Sequence, residues 1–395
     1  MQDFRGDIMA RLWKSLVLAA AVVMTPLLGS LGALAASEAA PPPVSAKAVE
    51  LIDGHSGRVL YAKNSRERLP MASVTKLMTL YLAVKAIQEK KIARSELVPV
   101  SEEAYRTNGS QIWLEPGERL SVDHLLKGVA IGSANDAAYA LGEYIAGSED
   151  SFVADMNRTA RQLGMTSTHF SNAHGLHARD HYTSAHDLGL LALHAVKQPL
   201  LLHYTGMRED RTIRNGKGGT LWLINHNRLL GQYPGMDGLK TGFTSQAGFC
   251  MVATAQRLHT RMIAVVLGAP SSKARFQDAA ALLTWGFQNY QSVKLAGRGD
   301  KVQDVTVRRG AVKRVAAVFA HDQYLTVSSQ SGSLKRTISV KADVEAPVRK
   351  GQVLGEMVVS QQGAIAARVP IVAERSISRT TWLGGAWKLF WKIAG

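Results

Sequence analysis

The chain has 395 residues, 46% hydrophobic and 20% charged, enough for two or three packed domains and too apolar for extensive disorder. Its 47 Lys and Arg against 31 Asp and Glu give a formal net charge of +16, which points to an anionic partner: nucleic acid, a phospholipid surface or an anionic polymer. The single cysteine, Cys250, excludes an intrachain disulfide and any cysteine-rich metal site, and its apolar run Phe249-Cys250-Met251-Val252 predicts a buried strand position.

The N-terminus narrows the choice of partner. Arg5, Arg11 and Lys14 precede an apolar run over 16–28, and Ala33-Leu34-Ala35 offers the small-x-small pattern read by signal peptidase. Residues 1–35 therefore read as a secretory signal peptide, with Met9 as a second candidate start; an uncleaved anchor is the alternative. Removing them leaves a charge of +15 on an exported chain, which does not meet chromosomal DNA. Nucleic acid is not an expected partner.

Residues 48–62 read as strand, turn and strand around Asp53-Gly54-His55-Ser56-Gly57. Pro70 then breaks the chain before a helix predicted from Ser73 to about Lys90, with Leu77, Leu80, Tyr81 and Val84 at helical spacing. Within it, Ser73-x-x-Lys76 places a hydroxyl and an amine one turn apart on one face. A lysine desolvated beside Leu77 and Met78 loses its proton more easily and can activate a serine. The same spacing also occurs on ordinary surface helices, so it decides nothing alone.

Leu97-Val98-Pro99-Val100 reads as a short strand, and 109–117 as a loop holding Trp113. Ser121 is expected to cap a helix ending near Gly132, and 137–145 is a second helix. Between them stands the polar knot Ser133-Ala134-Asn135-Asp136, either a turn or two side chains aimed into one cleft. Asp150 or Ser151 is expected to cap the next helix. The loop over 169–186 holds five histidines, but Gly175 and the absence of an H-E-x-x-H spacing argue against a metal site. Ser184-Ala185-His186-Asp187 reads as a capping box for a helix over 188–196.

From Thr220 the pattern turns to strands. Leu221-Trp222-Leu223-Ile224, Leu239-Lys240-Thr241-Gly242-Phe243-Thr244, 248–255 and 261–268 read as strands, and 274–289 as a helix. Strand-rich ends around a helical middle imply an α+β domain over 44–293, its sheet built from both ends. The short alternating segments over 294–374, with thirteen basic against seven acidic residues, read as a small all-β domain. In the tail, 376–395, a helical wheel gathers Lys388 and Lys392 with the glycines and sets Trp382, Leu383, Ala386, Leu389, Phe390 and Ile393 opposite. Such a segment is too short to span a bilayer but suits its interface, so a membrane surface is an expected partner through Trp382 to Ile393. A terminal helix packed on the protein is the alternative.

Ser73-x-x-Lys76, Ser133-x-Asn135 and Lys240-Thr241-Gly242 stand in one order, a triplet that resembles the penicillin-binding proteins and serine β-lactamases. The detailed match, over roughly 44–293 with Gly57-Arg58-Val59-Leu60, Pro116-Gly117-Glu118 and His174-Gly175-Leu176, resembles the low-molecular-mass serine D-alanyl-D-alanine carboxypeptidases. The appended β domain and amphipathic tail also resemble that family's architecture. The resemblance implies a β-lactamase/transpeptidase-like fold and no metal or other cofactor, while the signal peptide and tryptophan-rich tail point to the outer face of the bacterial cytoplasmic membrane. Peptidoglycan stem peptides are the implied substrates and β-lactam antibiotics the implied covalent inhibitors. It further implies Ser73 as nucleophile, Lys76 as base and Ser133 as proton relay. Lys76 and Asn135 would hold Ser133 in place, and Lys240 would give the cleft positive potential beside it. The oxyanion hole would come from the Ser73 and Phe243 N–H groups. Thr241 and Thr244 would hydrogen-bond the terminal carboxylate, with Gly242 between them in the substrate-binding strand, and Arg275 would meet the same carboxylate; a surface arginine is the alternative for Arg275. A β-lactamase is disfavoured because no Glu-x-x-Leu-Asn stretch follows the Ser-x-Asn motif. A D,D-endopeptidase and a catalytically silent cell-wall binding protein compete with the carboxypeptidase reading.

Overall fold

Residues 40–214, 219–329 and 332–380 are described by the structure, a computed structural model. The described residues open with β1 (Ala48–Asp53), β2 (Val59–Lys63), a single 3-10 turn (Ala72–Thr75), α1 (Lys76–Gln88), β3 (Leu97–Pro99), α2 (Glu102–Tyr105) and β4 (Arg119–Ser121). Four longer helices and one shorter follow: α3 (Val122–Ala130), α4 (Asn135–Ala146), α5 (Glu149–Gln162), α6 (Ala185–Ala195) and α7 (Pro199–Gly206). Next come β5 (Glu209–Asp210), β6 (Leu223–Ile224), β7 (Met236–Thr244), β8 (Gly248–Arg257), β9 (Thr260–Ala269) and α8 (Ser272–Asn289). The remaining elements among the described residues are strands: β10 (Tyr290–Ala296), β11 (Lys301–Arg308), β12 (Arg314–Phe319), β13 (Gln323–Ser328), β14 (Leu334–Val340), β15 (Asp343–Glu345), β16 (Val353–Gln361) and β17 (Ala364–Ala373).

An antiparallel sheet in the order β2-β1-β9-β8-β7 joins the two ends of the first domain. Successive residues of a strand face opposite sides, and here both sides are covered. Ile263, Val265 and Leu267 of β9, with Cys250 and Val252 of β8, face the helical middle. Met262, Ala264 and Val266, with Met251 and Ala253, face Leu282, Leu283 and Trp285 of α8. That double burial is why β8 and β9 read as unbroken apolar runs rather than alternating ones. The three strands expected over 239–268 pair in sequence as an antiparallel meander, β7-β8-β9.

The helix starts follow side-chain chemistry. Ser121 Oγ accepts the His124 N–H at 3.2 Å and Ser271 Oγ accepts the Ala274 N–H at 3.0 Å, each satisfying an otherwise orphaned donor. The cap of α5 is Ser148, whose Oγ accepts the Ser151 N–H, rather than Asp150 or Ser151. At α6, Ser184 caps Asp187, but the Asp187 carboxylate turns to the Ser167 N–H and the Thr168 hydroxyl, so the box closes only halfway. The strand expected over 221–224 shrinks to two residues paired with β5.

The all-β part begins at Tyr290, four residues before the expected 294, because α8 runs straight into β10 and β10 pairs with β13. Six further strands in the order β14-β16-β17-β12-β11-β15 enclose a separate core of Val305, Val315, Leu354, Met357, Val359 and Ile371. Residues 376–380 continue that domain as extended chain instead of starting a helix: Ile377 bridges to Val348, Arg379 bridges to Gly310, and the Thr380 N–H donates to the Arg309 carbonyl. The expected signal peptide and the amphipathic segment from Trp382 to Ile393 lie outside the described residues. No described helix is long and apolar enough to cross a membrane.

Candidate active site

The Ser73 turn is pinned from below before its hydroxyl does anything. Ala72 takes a left-handed backbone, φ +50, and its carbonyl accepts the Thr75 hydroxyl at 2.8 Å. Thr75 Oγ1 also meets His181 Nε2 at 2.7 Å, while His181 Nδ1 accepts the Ser171 N–H at 3.0 Å. With Nδ1 an acceptor, the proton belongs on Nε2, which donates to Thr75. Burial, with help from His169, His177 and Lys76, lowers the His181 pKa to about 4 and keeps that neutral tautomer. The Ser73 segment is thus a one-turn 3-10 helix that hands over to α1 at Lys76, not the α-helical start expected from the sequence.

Lys76 lies wholly inside the protein. Its Nζ donates to Ser73 Oγ at 3.0 Å, to Asn135 Oδ1 at 2.5 Å and to the His174 carbonyl at 2.5 Å, which uses all three ammonium donors. Desolvation, then repulsion from Lys240, lowers its pKa well below the ordinary 10.5, and Asp136 pulls only partly the other way. A lysine so placed is ready to hold a neutral amine against a serine hydroxyl.

Ser133 sits between α3 and α4 with φ +58, a conformation rare for a residue with a side chain. The bend lets neighbours on a short segment diverge: Ser133 Oγ accepts from Lys240 Nζ at 3.0 Å, and Asn135 reaches Lys76. The Asn135 amide is oriented at its other end by donating to the Asn108 carbonyl, and its N–H donates to the Ser110 carbonyl at 2.7 Å. Beneath it Asp136, fully buried, accepts the N–H groups of Ile112, Leu114 and Ala137. That carboxylate staples the 109–117 loop to α4.

Lys240, Thr241, Gly242, Phe243 and Thr244 lie on β7, the sheet edge beside the Ser73 turn. A Cβ on Gly242 would stand 2.9 Å from the backbone nitrogens of Ser73 and Val74, so only glycine lets strand and turn approach this closely. Lys240 is 2% exposed; burial first, then Arg275, lowers its pKa to about 7. Arg275, at 6% exposure, is no surface residue. It donates to the Gly242 carbonyl at 3.1 Å and Ser272 Oγ at 3.3 Å, while its buried Nε has no partner among the described residues.

A cleft of about 330 Å³ runs between these elements, lined by Ser73, Ser133, Thr241, Gly242, Phe243 and Arg275, with Lys76, Asn135 and Lys240 behind its wall. Thr244 is placed differently: its hydroxyl accepts the Ala247 N–H at 3.1 Å in the turn, outside that lining. Sequence reasoning missed Ser110, His226, Arg228, Phe249 and Ser272, which complete the cleft. It also missed the His174 carbonyl, whose only trace was the His-Gly-Leu stretch. A larger cavity, about 770 Å³ beside Ile87 and Arg94, offers no paired nucleophile and base, so volume alone would mislead. Among the described residues no cluster of His, Cys, Asp and Glu is arranged to hold a metal ion. His174, whose pKa burial lowers to about 3, meets Glu149 at 3.6 Å as a neutral ring rather than an ion-pair partner.

The sequence profile of the D-alanyl-D-alanine carboxypeptidase family matches residues 35–271, and that of the penicillin-binding protein 5 C-terminal domain matches 290–379. The D-alanyl-D-alanine carboxypeptidase DacF of Bacillus subtilis is 39% identical over 342 residues, 86% of this chain and 87% of the relative. Penicillin-binding protein 5 of Haemophilus influenzae superposes with a TM-score of 0.75 at 31% identity, covering 86% of this chain and 99% of that one. Penicillin-binding protein D2 of Listeria monocytogenes, solved in an ampicillin-bound form, gives a TM-score of 0.56 at 32% identity over 63% of this chain and 99% of its own.

Proposed function

The chain belongs to the D-alanyl-D-alanine carboxypeptidase family, and from that premise we propose how its residues divide the work. The protein hydrolyses the terminal D-Ala-D-Ala bond of peptidoglycan stem peptides through a serine acyl-enzyme and is acylated by β-lactams. The observation that carries the assignment of roles is the buried Lys76 amine 3.0 Å from Ser73 Oγ, its pKa lowered by desolvation. Neutral Lys76 takes the Ser73 proton as Oγ attacks the D-alanyl carbonyl. The Ser73 and Phe243 N–H groups receive the developing oxyanion, each such donor typically worth about 3 kcal/mol. Ser133, held by Lys240 and flanked by Asn135, passes the proton to the leaving amine. Thr241 and Arg275 hold the terminal carboxylate, a guanidinium being suited to a planar anion. Water then cleaves the Ser73 ester, with the proton path reversed.

Where the protein works belongs to the same proposal. The Arg5–Lys14 basic stretch, the 16–28 apolar run and Ala33-Leu34-Ala35 support export, and the Trp382 to Ile393 segment supports retention at the outer face of the cytoplasmic membrane.

Ser73→Ala is expected to abolish covalent labelling by a fluorescent penicillin; labelling that persists would remove Ser73 as nucleophile. In a paired assay the wild type is expected to release D-alanine from diacetyl-L-lysyl-D-alanyl-D-alanine and to turn over a chromogenic cephalosporin only slowly. The opposite pairing would make the protein a β-lactamase.

A further inference from the structure

The catalytic cleft does not end at Arg275. A second cavity of about 610 Å³ adjoins it, and the two linings share Arg228 and Ser272. Ser272 Oγ accepts from Arg275 Nη2 at 3.3 Å, so the shared wall stands at the carboxylate end of the cleft, away from Ser110 and Ser133. The second cavity is cationic: Arg228 and Lys273 are its charged lining residues, both exposed, and among the described residues no Asp or Glu lines either cavity. Phe276 lies under the Arg275 guanidinium at 4.4 Å, giving the passage an apolar floor. Arg228 also adds to the positive surroundings which, with burial, lower the Arg275 pKa to about 10. D-alanine, whose carboxylate is met by Arg275, has no atoms to send into this space.

We propose that Arg228 and Lys273 form a second anion subsite on the leaving-group side of the cleft, which takes a carboxylate carried by a leaving amino acid larger than D-alanine. The inference rests on the placement of the terminal carboxylate at Arg275. The bond chemistry is unchanged: Ser73 Oγ bonds to the D-alanyl carbonyl carbon, the C–N bond breaks, and the leaving amine takes the proton relayed through Ser133. Water then hydrolyses the ester. Only the body of the leaving amine differs. A cross-link made through a diamino dicarboxylic acid presents such an amine where the acceptor stem ends at that residue, leaving its second carboxylate free, so the subsite gives the enzyme D,D-endopeptidase capacity on cross-links to such shortened stems.

The test uses the full protein and three peptides with the same diacetyl-L-lysyl-D-alanyl donor. Their leaving groups are D-alanine, D-2-aminoadipate and the neutral side-chain amide of D-2-aminoadipate. The wild type is expected to favour the aminoadipate peptide over its amide by about tenfold in kcat/KM, the scale of one good charge-assisted hydrogen bond. Arg228→Gln and Lys273→Gln should each shrink that ratio, and the double variant should bring it within about twofold. Equal rates for the charged and neutral leaving groups in the wild type overturn the subsite, as does a preference that survives both substitutions. Absence of D-alanine release from the wild type would instead overturn the carboxypeptidase reading on which the subsite depends.

Discussion

A serine and a lysine three residues apart are common; what makes this pair chemical is that Lys76 is fully buried and shares its protons among Ser73, Asn135 and the His174 carbonyl. The pH dependence follows from that burial. Protonated Lys76 cannot accept the Ser73 proton, so kcat/KM for D-alanine release should rise with pH as Lys76 deprotonates, with a midpoint well below 10.5. An acid limb centred at or above 10.5, measured with saturating buffer and a constant ionic strength, would show that another group is the base. Lys240 adds a stability term whose sign is fixed. Its folded pKa of about 7 lies below that of the unfolded chain, so between about pH 7 and 10.5 the unfolded chain binds more protons and stability from this group rises with pH. The Ser73–Lys76 spacing and the Ser133 and Lys240 motifs were legible in the sequence because side-chain type carries them. The His174 carbonyl and Arg228 were not, because a backbone oxygen has no residue signature and Arg228 reaches the cleft only through the fold.

At the level of elements, the loop over 169–186 and the Ser73 turn act as one piece. Gly175 has φ +91, and a Cβ there would stand 2.1 Å from the Ala72 carbonyl oxygen, which itself accepts the Thr75 hydroxyl. Gly175→Ala must therefore push the loop off the turn, at a backbone cost of roughly 1–3 kcal/mol. Because His174 supplies a carbonyl to Lys76, the displacement reaches the base as well. The variant is expected to unfold at lower denaturant and to react with fluorescent penicillin at least about tenfold more slowly, a barrier raised by roughly 1.4 kcal/mol. Unchanged labelling kinetics in a destabilised protein would separate loop packing from base positioning. Here the sequence was informative in part. It marked β8 and β9 by their apolar runs and α3 by Ser121, but five histidines invited a metal reading. The structure uses His181 as a neutral strut, a role set by partners distant in sequence.

Across the whole molecule, the β domain is joined to the first domain by more than the α8–β10 connection. Asp53 Oδ2 accepts the Ser292 hydroxyl at 2.8 Å, Ser56 Oγ meets Thr326 Oγ1 at 2.8 Å, and His55 stacks on Tyr324 with ring centres 4.5 Å apart. The β1–β2 turn thus rests on β10 and β13, and the β domain presents its last described residues as a strap on its own sheet. Ile377 is buried in that domain's core and the Thr380 N–H is bonded to Arg309. A truncation that tests membrane retention must therefore cut after Thr380; cutting after Ser376 would expose core as well as remove the tail. Removal of 381–395 deletes Trp382, Trp387 and Trp391 together with Lys388 and Lys392, the residues expected to sit in the interface and meet anionic lipid. The truncated enzyme should keep its D-alanine release, since no catalytic side chain lies beyond Arg275, but move from the membrane to the soluble fraction. A truncated protein that sediments with membranes as fully as the intact chain would end the idea that this segment tethers it. Binding of the intact chain to vesicles containing phosphatidylglycerol, weakened by added salt, should give the same answer from the lipid side.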